Sequence, residues 1–222
     1  GVILYCKYYG IIRMIIKLAQ KVLLFVVIVF ALVKGQEKSN SPYALSRELD
    51  MTIAGISGGL LLGSILVDYM PMDLNEIAGL KPGDVPDYDS RAIDNWSISS
   101  IKMSDALLFS SIAIPGLLMF DKEIRGDYRN FSLVWAQSFF LTLGFTNFTK
   151  VLVGRPRPYL YADNASDDYK LKKDNKKSFF SGHTSISAVS WFLMASMHED
   201  YRPGSNISPY LWTSAFLVPA YT

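Results

Sequence analysis

Residues 150–158 read Lys-Val-Leu-Val-Gly-Arg-Pro-Arg-Pro, and about two dozen positions later stand Ser181, Gly182 and His183. These residue types can grip and transfer a phosphoryl group without a divalent ion. A phosphoryl group in transfer spreads negative charge over its equatorial oxygens. A guanidinium meets two such oxygens in one planar fork, and an ammonium adds a point charge. Together they can do the electrostatic work that Mg²⁺ does in kinases. Lys150 and Arg157 are the candidates, with Arg155, which also precedes a proline, as the decoy. Pro156 and Pro158 stop a helix and fix the backbone around both arginines. Ser181-Gly182-His183 fits the opening of a helix, where a hydroxyl, free backbone N–H groups and the positive dipole end form an anion site. Thr184 and Ser185 continue the hydroxyl cluster. A histidine there titrates near neutral pH and can give a proton to a departing alkoxide.

Each piece also has an ordinary reading. A lysine closing an apolar helix suits the negative dipole end and snorkels to the interface. Serine is a common N-cap. The order and spacing of the pieces between hydrophobic segments favour the functional reading. His198, beside Glu199 and Asp200, falls about 22 Å from His183 at the helical rise of 1.5 Å per residue. It reads as a C-terminal cap.

Positioning these groups falls to apolar blocks at Val22–Val33, Ile53–Val67, Ala106–Phe120, Phe131–Phe148, Thr184–Met197 and Ile207–Tyr221. Half of the 222 residues are apolar or aromatic and 19% are charged, the layout of a helical membrane protein or of an unusually apolar helical bundle. Helices are expected over Asp50–Tyr69, Ser104–Phe120, Phe131–Thr149, Phe179–Met197 and Ile207–Thr222. In the first, the small residues from Ala54 to Gly63 let helix backbones approach closely. In the second, Pro115 introduces a kink. Lys150 then falls at the end of the third. The connections are a long loop Pro71–Ile101 with a turn at Lys81–Asp84, a tight charged turn Asp121–Asn130, and a solvated, lysine-rich loop Tyr159–Lys177. Asn95, Trp96 and Ser97 suit the start of an interfacial segment. No period-two strand pattern or internal repeat occurs. The expected fold is all-α: a membrane-embedded bundle of about five hydrophobic helices after an N-terminal signal or anchor.

Other classes are disfavoured. A net charge of +2, with no basic stripe interleaved with aromatics, speaks against nucleic acid. Cys6 is the single cysteine and His183 and His198 the two histidines, so neither a disulfide nor a dedicated metal cage is expected. Residues 1–35 form the first division of the chain. Gly1–Arg13 reads as translated upstream sequence before Met14. Lys17 and Lys21, the apolar core Val22–Val33, and Val33 and Gly35 ahead of Gln36 read as a secretory signal peptide. The alternative is a signal anchor over Ile11–Val33. Residues 36–103 hold a polar segment, one helix and a loop. Residues 104–222 hold the core, which stops at Thr222 in an apolar run with no cap and so reads as a fragment.

Lys150…Arg157-Pro158 resembles the K-x-x-x-x-x-x-R-P motif, and Ser181-Gly182-His183 the core of the P-S-G-H motif, of the type 2 phosphatidic acid phosphatase and vanadium haloperoxidase superfamily. The resemblance covers roughly Ser104–Thr222, and its spacing selects Arg157 over Arg155. It implies that Lys150, Arg157, Ser181 and the Gly182 amide bind phosphate and that His183 is the general acid. The family's third motif, with an arginine, a nucleophilic histidine and its aspartate, is expected beyond Thr222. Phe180 stands where the family usually has proline, which leaves the backbone N–H groups in place.

The implied protein is a bacterial inner-membrane phosphatase that hydrolyses a lipid phosphate or pyrophosphate through a phosphohistidine. It needs no cofactor or metal, takes vanadate as a phosphate mimic, and has membrane lipids as partners. The alternatives are a vanadate-dependent haloperoxidase, or a non-catalytic scaffold or transport protein with a degenerate anion site. Topology carries a conflict. A cleaved signal followed by three spans puts Lys150 inside, whereas the cations of Lys122–Arg129 prefer the inside and put Lys150 outside.

Overall fold

The structure, a computed structural model, describes residues 41–67, 72–93, 97–162 and 165–222. The signal or anchor expected within residues 1–35 lies outside them, as do Asn95 and Trp96. The described residues form eight α-helices joined by 3₁₀ turns, with no strand among them. They are α1 (Arg47–Leu66), α2 (Leu74–Ala78), α3 (Ile98–Ala113), α4 (Lys122–Gly126), α5 (Tyr128–Val153), α6 (Asp167–Lys170), α7 (Gly182–Tyr201) and α8 (Ser208–Ala220). The five long helices fall on the five expected hydrophobic segments.

Helix α7 is the hub, packed against α3, α5 and α8, while α1 packs along α5. Small residues make this possible. A side chain at Gly144 of α5 would meet the Ser57 carbonyl of α1 at 3.0 Å, and one at Gly63 would meet the Phe148 ring at 2.9 Å. The glycine-rich run therefore works through particular positions, since Gly55 and Gly59 have nothing near them. Arg47–Leu66 and the continuous stretch Ile98–Phe120 are long and apolar enough to cross a bilayer. Leu66, Phe109, Phe120 and Phe216 are among the large apolar side chains left exposed, as a lipid-facing surface requires.

Several boundaries and loops differ from expectation for local reasons. Helix α3 begins at Ile98 rather than Ser104, because Ser97 caps it by accepting from the Ser100 amide at 3.3 Å. It then tightens into a 3₁₀ helix over Ile114–Phe120 that has Pro115 in its first turn. The charged turn after it contains a helix of its own, α4, capped by Asp121. Helix α5 outlasts Thr149 and ends at Gly154, whose φ of 57° is the left-handed conformation that glycine tolerates. Lys150 thus lies inside its last turn. The loop Tyr159–Lys177 is not simply solvated, because Leu160, Ala162, Ala165 and Asn175 are buried.

At one end of the molecule, small apolar clusters pin the loops: Val85 and Ile93 with Ala162 and Ala165, and Met72 and Ile77 with Leu160. At the other end, Arg202 after α7 grips Asp121 at 2.8 and 2.9 Å and Glu123 at 2.8 Å. There too Tyr43 donates to Asp200 at 2.6 Å and Tyr201 donates to Asp127. Burial first, and then those carboxylates, raise the phenol pKa of both tyrosines.

Candidate active site

The connection from α5 to α7 carries Arg155 and Arg157 past Gly154 in an extended course held by backbone bonds to the returning chain. The Arg157 amide donates to the Asn175 carbonyl at 2.8 Å, and the Ser178 amide donates to the Arg155 carbonyl at 3.1 Å. Asn175 is fully buried. Its Oδ1 accepts from the Met72 amide, and its Nδ2 donates to the carbonyls of Met72 and Lys170, each at 3.0 Å. One side chain thereby ties three loop segments together beneath Arg157.

The two arginines then part. Arg155 pairs with Asp89 of the 3₁₀ turn Asp87–Ala92. The guanidinium of Arg157 donates from Nε to the Asp174 carbonyl at 3.0 Å and from Nη2 to the Asp174 carboxylate, which leaves further N–H donors for an anion. Arg157, Ser181 and His183 all line one cavity of about 590 Å³, together with Asp105, Lys172 and Asp174. Lys172 is steadied there by the Tyr169 ring, 3.6 Å from its ammonium.

Ser181 is the N-cap of α7, its Oγ accepting from the Thr184 amide at 3.3 Å. Lys150 approaches the next residue, since a side chain at Gly182 would meet its Nζ at 3.1 Å. Any larger residue at 182 would push the ammonium back by a few tenths of an ångström. Burial, and after it the charge of Arg157, pushes the Lys150 pKa down to about 8. Lys150 lies outside both candidate spans. His183, in the first turn of α7, places Nε2 2.8 Å from Oδ1 of Asp105 on α3. His198 sits in the last turn of α7 with Nε2 3.0 Å from Ser205 Oγ, away from this cavity.

All five residues singled out from the sequence, Lys150, Arg157, Ser181, Gly182 and His183, therefore gather around the start of α7. Sequence reasoning missed Asp105, Lys172, Asp174 and Asn175. A signal existed only for Asp105, the one acid of α3, at the edge of the apolar block Ala106–Phe120. Among the described residues, no three His, Cys, Asp or Glu side chains come together as a metal site would need.

Among the described residues an all-helical bundle thus sets Lys150, Arg157 and a Ser-Gly-His helix start together at one end of α7. Residues 132–222, fewer than half of the chain, match the family model described as the PAP2 superfamily, and the match supports the resemblance to the type 2 phosphatidic acid phosphatase superfamily. The match suggests phosphatase- or haloperoxidase-type activity, and with the two apolar helices it points to membrane association. No curated protein and no solved structure matches the chain.

Proposed function

We propose that the protein hydrolyses a lipid phosphate or pyrophosphate, of the phosphatidate or prenyl-pyrophosphate kind, through a phosphohistidine and without a divalent ion. The observation that carries this is the meeting of Arg157, Ser181 and His183 on one cavity while Lys150 reaches Gly182. In this reading Lys150, Arg157, the Ser181 hydroxyl and the Gly182 amide neutralise the phosphoryl oxygens. His183 then protonates the leaving oxygen. The nucleophile is the histidine of the third motif.

A second groove supports a lipid substrate. It holds about 350 Å³, and Ile56, Leu60, Leu141, Phe145 and Phe180 line it beside Thr146. Thr146 also borders Gly182, so an acyl or prenyl chain in the groove would run up to the phosphate site.

The site faces away from the cytoplasm of a bacterial inner membrane if the cations Lys122, Arg125 and Arg129 stay inside. Tyr43 is bonded to Asp200 at the end remote from His183, so an outward site puts Tyr43 inside. That arrangement goes with an anchor rather than with cleavage before Gln36.

The test is phosphate release from phosphatidate or a prenyl diphosphate by the complete protein in detergent with a chelator present. Release is expected to persist, to be inhibited by vanadate, and to fall at least about 10²-fold in Arg157→Ala and His183→Ala. Activity retained in either variant refutes the site, and activity lost to the chelator refutes the metal-free mechanism.

A further inference from the structure

Asp105 lies outside both recognised motifs and outside the matched residues 132–222, yet its carboxylate meets the ring that the proposed mechanism uses as an acid. Its Oδ1 is 2.8 Å from His183 Nε2, and both side chains line the cavity. A second bond between the same two helices fixes their register, Trp191 Nε1 of α7 donating to Ser111 Oγ of α3 at 3.1 Å. The other carboxylate at the cavity, Asp174, is engaged by Arg157. The His183 and Asp105 side chains are 39% and 49% exposed, and a pair that open to water contributes little as a staple between helices. Its geometry suits another purpose.

We propose that Asp105 is the positioning residue of the general acid. The proposal rests on the reading of His183 given above. The carboxylate holds the Nε2 proton and fixes the ring, which leaves Nδ1 to carry the proton that is transferred. As the phosphorus–oxygen bond to the leaving group breaks, its electron pair goes to that oxygen and the Nδ1 proton follows. The phosphoryl group passes to the nucleophilic histidine nitrogen. The neutral ring keeps its Nε2–H on Asp105 and regains a proton from water.

The experiment compares two substrates in the complete protein. A lipid phosphate needs its alkoxide protonated, whereas p-nitrophenyl phosphate expels a phenolate that leaves unaided. In Asp105→Asn, kcat for the lipid phosphate is expected to fall at least about tenfold, within the roughly 10²–10⁴-fold that a general acid supplies, with KM little changed. The nitrophenyl ester should lose about twofold or less. Asp105→Glu, which keeps the carboxylate, should recover part of the loss. Added to His183→Ala, Asp105→Asn should cost nothing more, because it acts through the ring already removed. Equal losses on both esters, additive losses in the double variant, or an unchanged kcat would each overturn the proposal. A wild-type protein that releases no phosphate, or an active His183→Ala, would fell the reading of the site itself and this inference with it. A wild type and His183→Ala that behave as expected, beside an indifferent Asp105→Asn, would fell the inference alone.

Discussion

Arg155 and Arg157 are separated by one proline and followed by another, yet they enter different surroundings: an ion pair with Asp89 for the first, the cavity of His183 for the second. Arg155→Ala should cost about 1–2 kcal/mol of stability, because it leaves the partly buried Asp89 without its partner, and leave phosphate release intact. Arg157→Ala should lower kcat at least about 10²-fold while the unfolding midpoint stays near that of the wild type. Lys150 carries a pH prediction with two opposed slopes. Burial holds its folded pKa at about 8, below the ordinary 10.5. The charged form is therefore the one that folding disfavours. The resulting penalty is present in full below pH 8 and fades as pH rises towards 10.5, so this group's contribution to stability improves over that window. Oxyanion binding needs the ammonium, so tungstate, whose own charge is constant over this range, should bind more weakly as pH rises through 8. Titration calorimetry checks the affinity. Lys150→Arg should move the fall well above pH 8, because a guanidinium stays charged.

The connection from α5 to α7 is the least regular part of the site, and it is held as firmly as an element. Asn175 supplies three side-chain hydrogen bonds to the backbone and one carbonyl to the Arg157 amide. Asn175→Ala would strand buried donors and acceptors, at about 2–3 kcal/mol, and release Arg157. Melting curves should shift down, and activity at a permissive temperature should fall with them. The α1–α5 contact gives a second element-scale prediction. Gly144→Ala would press a methyl against the Ser57 carbonyl and the Leu60 side chain, at 3.0 and 3.1 Å. It should destabilise by about 1–3 kcal/mol in denaturant unfolding, whereas Gly55→Ala, facing open space, should be neutral or better.

Over the whole molecule, α7 sets the distance between two polar ends. Its 20 residues span about 30 Å, close to the hydrocarbon thickness of a bilayer. The phosphate-type site lies at its start, and the Arg202–Asp121–Glu123 group lies at its finish. If the proposed orientation holds, alkaline phosphatase fused within Tyr159–Lys177 should be active outside the cytoplasm. A fluorescent protein inserted at Gly126 should light up inside. Exchanged results would turn the protein over and restore the cleaved signal.

Much was legible before any coordinates. The helix class and the approximate positions of the five long helices follow from the apolar blocks, because backbone groups in such blocks must bond within their own segment, whereas the short helices α2, α4 and α6 carry no such block. Lys150, Arg157 and Ser181–His183 were legible because each belongs to a local pattern: a helix end, a proline-fixed turn, a capped helix start. Asp105 and Asn175 belong to no such pattern. Each matters through a residue dozens of positions away, His183 for one and Met72 for the other, and a side chain's partner across helices depends on packing angle and register that no local rule contains. The choice between Arg155 and Arg157 came from the resemblance and then found its physical cause in Asp89. Local chemistry named the groups that could hold a phosphate, and only packing could decide which acid would stand behind the histidine.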